Sequence, residues 1–372
     1  MVDIGRTVDT TIVPVHGASL PRAAQMPRIL VIRRDNIGDL VCTTPLLTGL
    51  RRQFPQAWIG VFANSYNAPI IERNADIDAL FAYRKAKHGG ISALGVAIER
   101  VRLIMTLRRA DLDYALLATT SFQPRSIRLA RAFGARQVVG FADASQTAPR
   151  LDQSIVPAGA ALTEVEEVYR IGAPLGLGGA PPPLALTPDP VEVNRALGAV
   201  SAWRTAGLVI GIHISARKPS QRWPIDRFAA VMRALAATYG VSFMLFWSPG
   251  SETSPTHPGD DEKAAALQGL AVERRMRPWP THTLAQLVGG IAACDAMVMS
   301  DGGAMHIAAA LGKPIVGLFG GSDATRWRPW GVPHRIVQPA SRDVGDVSVA
   351  EVVAAFDALA AETRLSMTAL AR

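Results

Sequence analysis

Asp39 stands directly behind Gly38, in the polar stretch Arg34-Asp35-Asn36-Ile37-Gly38-Asp39 that follows the apolar run Arg28-Ile29-Leu30-Val31-Ile32-Arg33. Glycine at such a point permits a tight turn and close approach of backbone to a ligand. The aspartate has two possible uses. It can be an acid in the first turn of a helix, favoured by the dipole, or a general base that accepts a hydroxyl proton. A second polar stretch, Ser300-Asp301-Gly302-Gly303-Ala304-Met305-His306, also follows an apolar run and opens a helical pattern. Free N–H groups at a helix start favour anions, and adjacent glycines remove the side chains that would obstruct a diphosphate. His306, one turn on, is either a core histidine or a contact for phosphate or ribose. Asp301 can cap the helix in either case.

Two more stretches carry polar chemistry. His213-Ile214-Ser215-Ala216-Arg217-Lys218-Pro219-Ser220-Gln221-Arg222-Trp223-Pro224 offers hydroxyls and cations, and Gly320-Gly321-Ser322-Asp323 is a further glycine-rich turn. The D-x-D patterns Asp76-Ile77-Asp78 and Asp111-Leu112-Asp113 have no histidine nearby, so no metal site is expected. No G-x-G-x-x-G follows the first apolar run, and neither a P-loop nor a G-x-S-x-G elbow occurs.

The elements that must position these residues alternate. Leu40, Thr43, Leu46, Leu47 and Leu50 recur at helical spacing up to Phe54-Pro55, and Trp58 to Ala63 reads as the next strand, which makes a βαβ unit. Tyr114 to Ala118 and Gln137 to Gly140 are further strands. A second series has strands at Leu208–Ile214, Val241–Trp247, Ala296–Met299 and Pro314–Phe319. Its helices are Pro224–Tyr239, Thr283–Cys294 and Met305–Leu311. Such alternation predicts two open α/β domains with mostly parallel sheets, whose ligands bind at the carboxyl ends of the strands. The polar loops 33–39, 119–126, 215–223, 248–262, 300–306 and 320–328 all fall at such ends, so two domains facing one another through them would form a cleft. The Pro- and Gly-rich composition after Gly172 suits a linker. The expected divisions are a flexible arm 1–26, a first domain 27–175, a linker 176–190, a second domain 191–348 and a C-terminal helical segment 349–372.

A chain of 372 residues can build two cores without staples, and 49% apolar with 19% charged residues excludes a disordered or collagen-like chain. The net charge of +8 predicts anionic partners. Its arginines, at Arg100 to Arg109 and Arg125 to Arg136, lack an aromatic-interleaved pattern, which argues against nucleic acid. Cys42 and Cys294 lie in apolar stretches and read as reduced core residues. No apolar run is long enough to span a bilayer, and residues 1–26 lack a signal-peptide core. The expected location is the cytoplasm, at most peripheral to a membrane.

The segment RILVIRRDNIGDLVCTTPLLTGLRRQFPQAWIGVFAN resembles the N-terminus of bacterial heptosyltransferases, glycosyltransferase family nine. ACDAMVMSDGGAMHIAAALGKPIVGLFGGSDATRWRPWG is similar to that family's C-terminal signature, and the Arg-Trp-Pro at 222–224 falls in the family's order. The resemblance implies a GT-B architecture, two Rossmann-like domains facing across a cleft, with acceptor in the first and nucleotide sugar in the second. It implies inverting, metal-independent transfer of heptose from ADP-heptose to the inner core of lipopolysaccharide, with no cofactor beyond that co-substrate. The catalytic base of the family's Gly-Asp motif falls on Asp39, with Asn36, Gly38 and Arg125 on the acceptor side. The diphosphate and nucleotide contacts fall on Asp301, Gly302, Gly303 and His306. Ser215, Lys218, Gln221 and Arg222 join them, as does an acid after the 241–247 strand, either Asp260 or Asp261. The basic N-terminal segments would meet phosphorylated glycolipid at the inner leaflet.

Three departures stand out. Gly302 replaces the usual Ser or Thr, Gln221 replaces a lysine whose charge Lys218 or Arg222 would have to supply, and Gly320-Gly321-Ser322-Asp323-Ala324 replaces G-P-T-D-P. They leave open a second reading, a GT-B protein that binds a nucleotide or sugar without transferring it. The intact Asp39 and His306 favour transfer.

Overall fold

The computed structural model describes residues 13–14, 26–83, 93–143, 145, 150–159, 162–202, 207–253, 259–270 and 275–363. The chain divides into two compact units, Met1–Ala185 and Leu186–Arg372.

Unit 1 runs β1 (Val13–Pro14), β2 (Arg28–Ile32), α1 (Ile37–Val41), α2 (Thr44–Gln53), β3 (Trp58–Asn64), β4 (Ala79–Tyr83) and α3 (Ala93–Arg109). It continues with β5 (Tyr114–Leu117), α4 (Pro124–Ala132), β6 (Gln137–Phe141), β7 (Gln153–Ile155) and α5 (Glu164–Tyr169). The strands form one sheet in the order β1-β4-β3-β2-β5-β6-β7, parallel throughout except that β1 is antiparallel to β4. Part of the expected N-terminal arm is therefore an edge strand, where the unpaired ladder of β4 accepts it and proline is tolerated. The rest of that arm lies outside the described residues. From β2 the chain winds one way through β3 and β4, then the other way through β5, β6 and β7. This puts a topological switch point at the carboxyl ends of β2 and β5, where open α/β sheets bind ligands.

The helix expected from Leu40 to Leu50 is broken in two. Thr43 Oγ1 donates to the carbonyl of Asp39 at 2.9 Å, and Thr44 Oγ1 to that of Val41 at 2.7 Å. Pro45 has no N–H to continue the ladder, and such hydroxyls compete for carbonyls, so α2 starts afresh. One face of the sheet packs Leu30, Ile32, Phe62 and Phe81 against Leu103 and Leu107 of α3, Ile127 and Ala130 of α4, and Phe133 just beyond it. A fully buried phenylalanine such as Phe133 contributes about 1.5–3 kcal/mol.

The stretch expected as a linker is partly docked on unit 1. Leu177 and Leu184 are buried, and the N–H of Ala185 donates to Thr44 Oγ1 at 2.9 Å.

Unit 2 runs α6 (Pro190–Ser201), β8 (Val209–His213), α7 (Ile225–Tyr239), β9 (Ser242–Trp247), α8 (Asp261–Leu270), β10 (Met276–Pro280) and α9 (Leu284–Ala292). It ends with β11 (Ala296–Ser300), α10 (Gly303–Ala310), β12 (Ile315–Leu318), α11 (Ala324–Trp327), β13 (His334–Val337) and α12 (Val349–Thr363). Its sheet, β10-β9-β8-β11-β12-β13, is parallel throughout and reverses between β8 and β11, which is a second switch point. Ile210, Ile212, Val298 and Leu318 meet Phe228 and Met232 of α7 and Phe356 of α12 in one core. The C-terminal segment is thus part of unit 2, with Phe356 edge-on to Tyr239 at 5.5 Å. Residues 364–372 lie outside the described part.

Candidate active site

At the first switch point a buried arginine gathers three carboxylates. Arg33 directly follows β2 and is 2% exposed. Its Nη2 lies 2.7 Å from Asp39 Oδ1 and 2.8 Å from Glu164 Oε1, its Nε lies 3.2 Å from Asp35 Oδ2, and Nη1 donates to the Ala118 carbonyl. Local structure delivers each partner. Asp39 is the third residue of α1, and its Oδ2 accepts from the N–H of Asn36 at 2.9 Å and from Asn36 Nδ2 at 2.8 Å. Glu164 opens α5 behind a capping box, in which Thr163 Oγ1 accepts from the Glu166 N–H while Glu166 accepts from that of Thr163.

The electrostatics separate the two aspartates. Burial works to raise Asp39, but Arg33 and the Asn36 hydrogen bonds outweigh it and hold the carboxyl below the usual carboxylate range. Burial pushes Asp35 up, and Arg33 offsets this only in part. Burial also opposes the charge on Arg33, yet Glu164, Asp39 and Asp35 keep it protonated.

Of the expected acceptor-side residues, Asn36 is occupied in orienting Asp39. Gly38 sits inside α1 without a positive φ, so no left-handed turn demands it there. Arg125 is exposed in the first turn of α4, and its neighbour Ser126 accepts from Arg34 Nη2 at 2.9 Å, which ties α4 to the 33–36 loop. Thr119 Oγ1, buried just beyond β5, has no hydrogen-bond partner among the described residues.

At the second switch point a buried carboxylate, Asp301, is held by neutral groups. Gly302 is the N-cap of α10 in extended backbone, and no side chain caps the helix; the Met305 N–H turns back to the Gly302 carbonyl at 3.0 Å, while no side chain among the described residues takes the N–H groups of Gly303 and Ala304. Asp301 does not cap it. Its Oδ2 instead accepts from Gln221 Nε2 at 2.8 Å, and the same amide donates to Ser322 Oγ at 2.9 Å. Gln221 is thus a buried clasp between the 300–306 and 320–323 loops. Gly320 permits that approach, because a Cβ there would lie 1.9 Å from the Ser220 carbonyl oxygen. A Cβ on Gly302 would meet nothing within 4 Å. His306 is buried inside α10, edge-on to Trp327 at 5.9 Å, and Gly303 begins the helix.

Around this centre, Ser215 Oγ accepts from the Ser248 N–H at 2.8 Å. Lys218 is exposed and makes no ion pair among the described residues, while Arg222 donates Nε to the Ala216 carbonyl at 3.1 Å. The alternative acids separate clearly. Asp261 spends both oxygens, on Trp247 Nε1 at 2.7 Å and the Gly250 N–H at 2.9 Å. Asp260 is buried, pairs with Lys263 Nζ at 2.6 Å and faces His213. Burial pushes the His213 imidazole down to about 4 against the pull of Asp260, so it is neutral near pH 7.

The sequence assigns no role to Arg33, Asp35, Thr119 and Glu164 in unit 1, or to Ser322 and Trp327 in unit 2, although all but Glu164 fall in its polar loops. A charged residue ending an apolar run was the one available signal for Arg33. Nothing local marks Glu164, which lies 131 positions away.

Both D-x-D patterns have structural partners. Asp78 takes Arg51 and the Ile59 N–H, Asp76 takes Thr48, and Asp111 and Asp113 take Arg136. Among the described residues no group of three or more His, Cys, Asp or Glu is arranged to hold a metal ion. Cys42 and Cys294 are buried, and burial pushes the Cys294 thiol far up. Among the described residues no helix is long and apolar enough to cross a membrane.

Comparison with known proteins finds relatives over most of the chain. Lipopolysaccharide heptosyltransferase 2 of Salmonella typhimurium is 27% identical over 325 residues, covering 84% of this chain and 88% of the relative. Lipopolysaccharide heptosyltransferase 3 of Escherichia coli is 24% identical over 300 residues, 79% of this chain and 83% of its own. The solved structure of a family 9 glycosyl transferase from Veillonella parvula superposes with a TM-score of 0.77 at 19% identity, over 90% of this chain and 97% of its own. That of E. coli ADP-heptose lps heptosyltransferase II superposes at 0.72 and 24%, over 91% and 99%. These structures share the fold, the two-Rossmann GT-B architecture. The family model for glycosyltransferase family 9 (heptosyltransferase) matches residues 100–348. A match over well more than half of the chain decides its kinship: the chain belongs to glycosyltransferase family 9, the heptosyltransferases.

Proposed function

We propose that this chain transfers heptose from ADP-heptose to a lipopolysaccharide inner-core or related glycan acceptor, in one inverting, metal-independent displacement. The observation that carries this reading is the orientation of Asp39, an ionised carboxylate fixed by Arg33 and Asn36 at the switch point of unit 1. Asp39 Oδ1 keeps one lone pair free of Arg33 and accepts the acceptor hydroxyl proton as that oxygen attacks the anomeric carbon opposite the diphosphate. Negative charge builds on the departing diphosphate. The uncapped amides of α10 and the exposed ammonium of Lys218 stabilise it, with Gln221 keeping Asp301 and Ser322 in register.

The nucleotide assignment is supported by the E. coli heptosyltransferase WaaC, a structure solved with ADP that shares the fold at a TM-score of 0.70 and 18% identity. A cytoplasmic location, peripheral at the inner membrane, suits such an acceptor.

The second reading, a binder that does not transfer, rests on Gln221, whose neutral amide sits against Asp301 where a cation would aid the leaving group. Thermal shift against ADP, UDP, GDP, CMP and ADP-heptose, followed by turnover, separates the two. Selective stabilisation by ADP and ADP-heptose with transfer that Asp39→Asn abolishes is the expected result. Binding without transfer in the wild-type chain would establish the second reading instead.

A further inference from the structure

Helix α3 carries three large apolar side chains into solvent: Ile98, Val101 and Met105 are 44%, 60% and 44% exposed. Their spacing of three and four residues sets them on one stripe, opposite Leu103 and Leu107, which are buried against the sheet. On the helical projection Arg102 and Arg109 flank this stripe on one side and Arg108 on the other, all exposed. Arg102 and Arg109 make no side-chain hydrogen bond or ion pair among the described residues, and Arg108 gives only Nε to the Ala132 carbonyl. Glu99 is the sole acid of α3.

Helix α4 packs into the same core cluster, so it lies on the same face of the sheet. It adds exposed Arg125, Arg128 and Arg131, of which Arg131 is paired with Asp152 at 2.8 Å.

A contiguous apolar stripe in solvent marks an interaction surface. The chemistry of the stripe selects the partner. An apolar centre framed by guanidinium groups matches the boundary of an anionic bilayer, where the stripe enters the acyl region and the arginines reach lipid phosphates. A nucleic acid would use the arginines and leave the apolar centre idle, since this stripe has no aromatic side chain to stack. A second copy meeting this face across a two-fold axis would set arginines against arginines. We propose that α3, with α4 beside it, is the face by which unit 1 docks in-plane on an anionic lipid surface.

The test uses the full chain with vesicles of phosphatidylcholine alone and of phosphatidylcholine mixed with phosphatidylglycerol. The chain should co-sediment with the mixed vesicles only, and less as salt rises. Val101→Ser combined with Met105→Ser should lower that partition about tenfold, and Arg102→Glu combined with Arg109→Glu by at least as much. Leu270→Ser, on an exposed site of unit 2, should leave it unchanged. Each variant is scored alongside its melting temperature and its nucleotide-induced stabilisation. A variant that loses vesicles while keeping both has lost docking and neither fold nor donor binding, so the result is independent of the proposed reaction. Equal binding to neutral vesicles would overturn the proposal. So would undiminished anionic binding by the serine pair, or wild-type self-association that the serine pair disperses in the absence of vesicle binding.

Discussion

The two switch points occupy equivalent places in similar sheets and are built on opposite electrostatic plans. At the end of β2, one buried guanidinium is shared among Asp35, Asp39 and Glu164. At the ends of β8 and β11, a neutral amide, a hydroxyl and glycine backbone hold Asp301, and no side chain caps the start of α10. A carboxylate that must stay ionised and keep one orientation needs fixed charge around it. A surface meant to receive an anion must keep its donors free, and a fixed carboxylate among them would compete. On the proposed reading, the neutral clasp at Gln221 meets that need by holding Asp301 away from the helix start.

The contrast can be broken most severely at Arg33. Arg33→Met strands Glu164 and Asp39 in a buried site and should cost about 3–5 kcal/mol in denaturant unfolding, whereas Gln221→Met, which removes no charge, should cost less than half of that. Asp39→Asn should lower kcat about a hundredfold or more while ADP-induced stabilisation is kept. Equal loss of both would place Asp39 in folding and not in proton transfer. Gly320→Ala should destabilise by about 1–3 kcal/mol, because backbone at Ser220 must move.

The pH response should also divide by unit. His213 resists protonation when folded and accepts it when unfolded, so the unfolded state binds more protons below about 6.5 and stability falls as pH drops. The loss should reach about 2 kcal/mol near pH 5, and His213→Gln should remove it. Asp39, whose pKa is depressed, stabilises the fold above its unfolded pKa and loses that contribution only in stronger acid. Unit 2 should therefore soften first. The smallest effect belongs to Gly302→Ser. Space is open there, and one hydroxyl added toward the α10 start should tighten ADP about fivefold, read by titration.

The sequence displays the interior of each sheet and conceals its margins. β2, β8, β11 and β12 are continuous apolar runs because neighbours cover both faces. β7, β10 and β13 are edges with polar or proline-rich composition. The Met-Arg-Pro-Trp-Pro of β10 carries two prolines, yet it forms a strand because an edge does not require every N–H. The site divides likewise. Asp39 and Asp301 are visible through their glycine neighbours and the order of strand, loop and helix. Arg33 looks like the last residue of a strand, and its pairing with Asp39 and Glu164 emerges only when the chain folds. Nor can composition distinguish Asp260 from Asp261, since the distinction lies in which carboxylate faces the Trp247 indole.

The bond between Arg33 and Glu164 joins the start of the chain to a helix 131 residues later. Because removing either strands the other in a buried site, the two are expected to behave genetically as a single character. A homologue that loses one is expected to lose both, and a recombinant whose crossover falls between them inherits a working unit only if the parents match at the two positions. Shuffled libraries of this family should show that linkage as a gap in viable crossovers, unless the parental pairs are interchangeable.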